Sequence, residues 1–169
     1  YARAWGGVIK LIARAKQLED GRVAVMVSPA FVQNHSQLAS VDDVFNAILV
    51  RGDAIGDVVF YGKGAGKLPT ASAVVSDIVS AAKHEKTSIS LTWNDSDQGF
   101  IRSFDRFGCA NYIRINANDK QAAKSVIESE FSDVQYLSRN NMPENEIAFI
   151  AGVMEESAVA AALEKLSAH

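Results

Sequence analysis

A chain of 169 residues with 48% hydrophobic and 22% charged side chains has room for one ordinary domain or two small ones, and its composition excludes a disordered protein. A net charge of −3 offers no general attraction to phosphate backbones, which argues against nucleic acid, and no apolar run reaches the ~20 residues that span a bilayer. Cys109 is the single cysteine, so an intrachain disulfide is excluded and a reducing cytosol fits. The chain opens on Tyr1 and enters a periodic apolar pattern almost at once, which leads us to expect a piece of a longer protein.

Val8, Leu11, Ile12, Ala15 and Leu18 recur at helical spacing and predict a helix that Asp20-Gly21 ends. Arg22 to Val27 reads as a strand covered on both faces, and Pro29 to Ser40 as irregular. His35 falls in that loop without the partners a metal would need. Phe45 to Val50 and Asp57 to Tyr61 predict a hairpin around Arg51-Gly52-Asp53-Ala54-Ile55-Gly56. From Pro69 to about Lys83 the pattern is helical. Ala71, Val74, Val75, Ile78, Val79, Ala81 and Ala82 cover more than half the circumference, so this helix needs partners on several sides. A further domain or a second copy of the chain is implied.

Ser88 to Trp93 alternates as a short strand, and Asn94 to Gly99 is polar but lacks the EF-hand pattern of a calcium loop. Phe100, Ile101, Phe104 and Phe107 fit either a helical turn or an irregular packed segment. The remainder reads β-α-β-β-α. Strands are expected at Asn111–Ala117, Val134–Ser138 and Glu146–Met154, and helices at Lys120–Phe131, capped by Asn118 or Asp119, and Glu155–Leu166.

The chemistry concentrates at Phe60-Tyr61-Gly62-Lys63-Gly64-Ala65-Gly66-Lys67-Leu68-Pro69, where an apolar strand meets three alternate glycines and a helix start. Glycines let a backbone approach a ligand closely, and a helix N-terminus favours an anion. The P-loop fails, because its first glycine and its Ser/Thr are Tyr61 and Leu68 here, and a dinucleotide fingerprint from Gly62 fails at Lys67. A purely structural strand-to-helix turn fits the spacing equally well. The longer string Tyr61 to Ile78, with Ile9-Lys10-Leu11-Ile12-Ala13-Arg14-Ala15, Leu38-Ala39-Ser40-Val41 and Asn46-Ala47, closely resembles the homoserine dehydrogenases. That resemblance covers about residues 6 to 83. It implies NAD(P)-dependent interconversion of L-aspartate 4-semialdehyde and L-homoserine, in threonine and methionine biosynthesis in the cytoplasm. It also implies an N-terminal nucleotide-binding domain and catalytic residues upstream, with none here. Gly62, Gly64 and Gly66 would then lie against the cofactor, and Lys63 and Lys67 are solvated unless they reach its phosphates.

Residues 111 to 167 resemble an ACT domain, a small regulatory module that pairs through its sheet and often binds amino acids. The fold class implied is α+β. A partial mixed-sheet substrate and dimerisation domain (1–86) would precede an ACT-like, ferredoxin-like βαββα domain (87–169), whose vacant fourth-strand place Ser88–Trp93 would fill. Self-association as a dimer or larger is expected. Asn118, Asp119 and Ala122 stand where ACT domains hold a ligand such as L-threonine, yet Asp119-Lys120-Gln121-Ala122 lacks the Pro and Gly of the usual Asp-x-Pro-Gly. Ala122 puts a Cβ where the ligand would approach, so feedback is expected to be weak. A stand-alone ACT-type module without catalysis is the alternative.

Overall fold

The computed structural model describes residues 1–84, 92–96 and 99–167. Along the chain they form α1 (Ala2–Trp5), β1 (Gly7–Gln17), β2 (Val23–Gln33), β3 (Phe45–Gly52), β4 (Gly56–Lys63) and α2 (Lys67–Lys83). A 3₁₀ turn at Phe104–Arg106 leads into β5 (Gly108–Asn116), α3 (Lys120–Glu130), β6 (Gln135–Leu137), β7 (Glu146–Glu155) and α4 (Glu156–Leu166). The fold is α+β, built on three small antiparallel sheets. Two compact units divide it, Tyr1–Gln33 with Ser96–His169, and Asn34–Asp95. The first hairpin keeps company with the C-terminal segment.

That hairpin corrects the first expectation. Val8 to Leu18 is not a helix, because Gly7–Gln17 pairs residue for residue with Val23–Gln33, from Gly7–Gln33 to Gln17–Val23. The segment is apolar on both strand faces, with Val8 and Ile12 half-buried and Ile9 and Leu11 exposed, so its apolar residues satisfy the helical and the extended period alike. The β-branched partner Val23-Ala24-Val25-Met26-Val27 decides in favour of the extended one. The strand also runs past Pro29 to Gln33, where an irregular segment was expected. Val23 directs its N–H to Phe100 O at 3.0 Å and accepts from Arg102 N at 2.9 Å, away from β1. Pro29 shares that parity, so its missing N–H falls on the outer edge and no ladder bond is lost.

The C-terminal module holds the core. Its strands lie in the order β5-β7-β6, all antiparallel, so β7 fills the gap of a split β-α-β arrangement. Ala123 and Ile127 on one stripe of α3 with Phe131 just past its end, and Val159, Ala162 and Leu166 on one stripe of α4, close over Ile113, Ile147, Phe149 and Ala151. Phe131 meets the Phe149 ring edge-on with centroids 5.3 Å apart. Lys165 on α4 reaches both carboxylate oxygens of Glu130 on α3 at 2.8 Å. Phe100 to Phe107 resolves as an extended stretch with the single 3₁₀ turn, tied by the Val23 bonds.

In the other unit, β3 and β4 form the expected hairpin, with Arg51 and Asp57 paired at 2.6 and 2.8 Å beside the turn and Gly56 at φ 74°. Helix α2 begins at Lys67, two residues before Pro69, and buries none of its side chains. Ser88–Trp93, expected to complete the C-terminal sheet, falls mostly outside the described residues.

Candidate functional site

The glycine turn is assembled by the end of β4 and the start of α2, and its three glycines serve different ends. Gly62 sits in β4 opposite Asn46, and a Cβ on it would meet nothing within 4 Å. A Cβ on Gly64 would lie 2.6 Å from Asn46 Nδ2, so that glycine makes room for a β3 side chain. Gly66 stands at φ 120°, which a side chain tolerates poorly, and caps α2 with its carbonyl accepting from Thr70 N at 3.1 Å. Gly66 is thus required by the chain's own geometry, while a Cβ on Gly64 would push the exposed Asn46 side chain aside. Only Gly62 presents a bare backbone to open space. Lys63 Nζ lies 5.7 Å above the Phe45 ring, which itself stacks on Tyr61 at 4.9 Å, so this lysine has an intramolecular partner.

The second candidate, the β5–α3 junction, is closed by its own side chain. Asp119 Oδ1 accepts from Gln121 N at 2.9 Å and from Ala122 N at 3.0 Å. Those are the free N–H groups that would otherwise face a ligand carboxylate. Asn118 and Asp119 are exposed and Ala122 is half-buried.

A cluster that the sequence did not reveal surrounds Glu146, the buried charged residue of this unit. It accepts from the Tyr1 hydroxyl and from Arg139 Nη2 at 3.1 Å, with Arg114 Nε at 3.8 Å. The Tyr1 hydrogen bond, then the charges of Arg139 and Arg114, hold its carboxyl below the usual range against the opposing effect of burial. Tyr1 also rests on Tyr112, which stacks on Phe31 at 4.6 Å, with Trp5 beyond. These residues come from five separate segments, so no local spacing could announce them. Burial pushes the Cys109 thiol up, away from the reactive thiolate form. Among the described residues no three metal-ligating side chains converge, and no helix is long and apolar enough to cross a membrane.

Comparison with known proteins bears on the first site. The family model described as homoserine dehydrogenase matches residues 1–79, the glycine turn included. The homoserine dehydrogenase of Helicobacter pylori is 35% identical over 147 residues, which is 87% of this chain and 34% of that protein. That of Lactococcus lactis is 45% identical over 85 residues, 50% of this chain and 20% of the relative. A solved homoserine dehydrogenase from Thiobacillus denitrificans superposes with a TM-score of 0.73 at 27% identity, covering all of this chain and 41% of its own. The chain spans about a third of the length of the relatives it matches. Over that span it is similar to the homoserine dehydrogenases.

Proposed function

We propose that this chain is the part of a homoserine dehydrogenase that supplies a cofactor-facing glycine turn, a dimerisation surface and an ACT-like regulatory module. The whole enzyme would interconvert L-aspartate 4-semialdehyde and L-homoserine with NAD(P) in the cytoplasm. One observation carries this reading: the family match over residues 1–79 takes in the hairpin, the turn and most of α2. The open face of Gly62 supports it, because a backbone with no Cβ and no neighbour within 4 Å can accept a flat ring in contact. Bound nicotinamide supplies the hydride chemistry. The residues here bind and orient, while proton transfer belongs to groups outside the chain, as does the nucleotide fold that would contact the phosphates. Residues 1–86 would be substrate and dimerisation domain and 87–169 the regulatory domain.

The test has two parts. The purified chain should reduce neither NAD nor NADP with L-homoserine; turnover by the chain alone would overturn the reading. In an enzyme containing it, Gly62→Val should raise KM for the cofactor at least tenfold with little change in KM for homoserine.

A stand-alone ACT-type module is the second reading, favoured by one observation: β5 to α4 closes a core of its own. Because Asp119 already satisfies the α3 N-terminus, L-threonine would bind that loop weakly or not at all. Calorimetric titration with L-threonine tests this; micromolar binding abolished by Asp119→Ala would refute it.

A further inference from the structure

A cavity of about 260 Å³ opens where the far end of the first hairpin meets the 3₁₀ turn and the start of β5. Its wall carries Arg14 and Lys16 from β1, Arg102 and Arg106 from the segment before β5, and one carboxylate, Glu155. Among the described residues, four cations line the cavity against one anion. Glu155 is stretched between two guanidinium groups, 3.5 Å from Arg102 Nη2 and 3.6 Å from Arg106 Nη1. Asp20 stands 4.0 Å from Arg102 Nη1, but its carboxylate is taken by Arg22 at 2.6 Å. Arg14 lies over the Phe107 ring at 5.8 Å and has no carboxylate of its own among these groups.

Two exposed arginines close tightly on their partners, whereas Arg114 Nε stands 3.8 Å from Glu146. Arg22–Asp20 and Arg51–Asp57 both reach 2.6 Å, the length of a strong charge-assisted bond. The cavity pairs are nearly 1 Å longer. In addition, Arg102 Nε is buried without a hydrogen-bond partner among the described residues. A buried unsatisfied donor is costly, and native structures keep few of them. Nε and the loosely held Nη2 form one edge of the guanidinium fork, the edge that receives two oxygens of a planar or tetrahedral oxyanion.

We infer that this cavity is a binding site for a small, multiply charged oxyanion, a phosphate or phosphate monoester. A net lining charge of +3, four cations less one carboxylate, matches a dianion better than a single carboxylate. The volume lies at or below the lower end of ordinary ligand pockets, which fits a small anion and excludes a dinucleotide. Its lining includes no residue of the glycine turn or of the β5–α3 loop, and the inference stands whether or not the dehydrogenase reading does. Arg102 rotates its free edge onto the ligand, Arg106 and Lys16 complete the shell, and Glu155 is the group the ligand displaces.

Calorimetric titration of the 169-residue chain with inorganic phosphate at constant ionic strength tests the inference, with succinate as the dicarboxylate control. Saturable binding is expected, at least tenfold tighter for phosphate than for succinate. Arg106→Gln and Lys16→Gln, both at exposed positions, should each weaken it about tenfold, while Glu155→Gln should tighten it severalfold. Asp119→Ala should leave it unchanged. Circular dichroism establishes that each variant is folded. A folded chain that gives no saturable heat, succinate binding as tightly as phosphate, or phosphate binding indifferent to Arg106→Gln would each overturn the site.

Discussion

The C-terminal module and the β3–β4–α2 unit are made from similar materials and end in opposite states. Phe149, Ile127 and Ile147 in the first are 2% exposed or less. In the second, Ile48, Phe60 and Ile78 are each more than 60% exposed, and α2 buries nothing. The difference lies in how apolar residues are distributed. On α3 they occupy one stripe, so a single layer of strands covers them. On α2 they wrap most of the circumference, and one hairpin cannot cover them. Apolar content alone therefore does not make a core; its angular spread decides whether a segment is self-sufficient or waits for another surface. Exposed patches of this kind mark interfaces.

The sharpest way to break that comparison is to truncate one side chain in each region. Phe149→Ala should lower the unfolding free energy of the C-terminal module by about 3–5 kcal/mol, read from the urea midpoint. Ile78→Ser, its counterpart on α2, should change the same quantity by no more than about 0.5 kcal/mol. Equal effects would show that α2 is covered within the chain. Next in size is Gly152→Ala. Its Cβ would fall 2.9 Å from Ser132 Oγ and 3.0 Å from Asp133, on a backbone whose N–H donates to Ser132 O at 2.7 Å. A loss of about 1–3 kcal/mol is expected, and a neutral result would mean that the β7 wall is softer than its burial suggests.

Asp119→Ala removes the α3 cap and should cost about 1 kcal/mol in the same experiment, with Asp119→Asn retaining most of it. The smallest effect is a pH slope. The carboxyl of Glu146 is held below its ordinary value, so it adds stability above the unfolded-state value, and this is lost as pH falls through the folded one. Melting temperature should therefore fall more steeply between about pH 5 and about pH 3 in the wild type than in Glu146→Gln. Parallel curves would remove the Tyr1–Arg139–Arg114 cluster as an acid-sensitive tie.

The legibility of the chain follows the same contrast. From α3 onward the helices each show one apolar face and β7 is a continuous apolar run, and the elements Lys120–Glu130, Glu146–Glu155 and Glu156–Leu166 lie within a residue of their expected bounds. Gly7–Gln17 misleads because it is apolar on both faces, and only its pairing with Val23–Gln33 selects the strand. Pro29 suggested a strand end, since no local pattern tells which edge a proline faces. The glycine turn was legible as a turn, but not that Asn46 crowds Gly64 while Gly62 is left open. Glu146 and its partners were invisible, being drawn together from both ends of the chain.

Pro29 carries one more consequence. A long hairpin with Leu11 and Val27 bare on its surface is a template for strand-by-strand growth into fibrils. The ring removes one outward N–H, and residues 100–102 occupy the outer edge near Val23. An incoming strand therefore finds the edge blocked at one end and missing a donor further along. The proline that obscured the strand in the sequence is also a guard against its polymerisation.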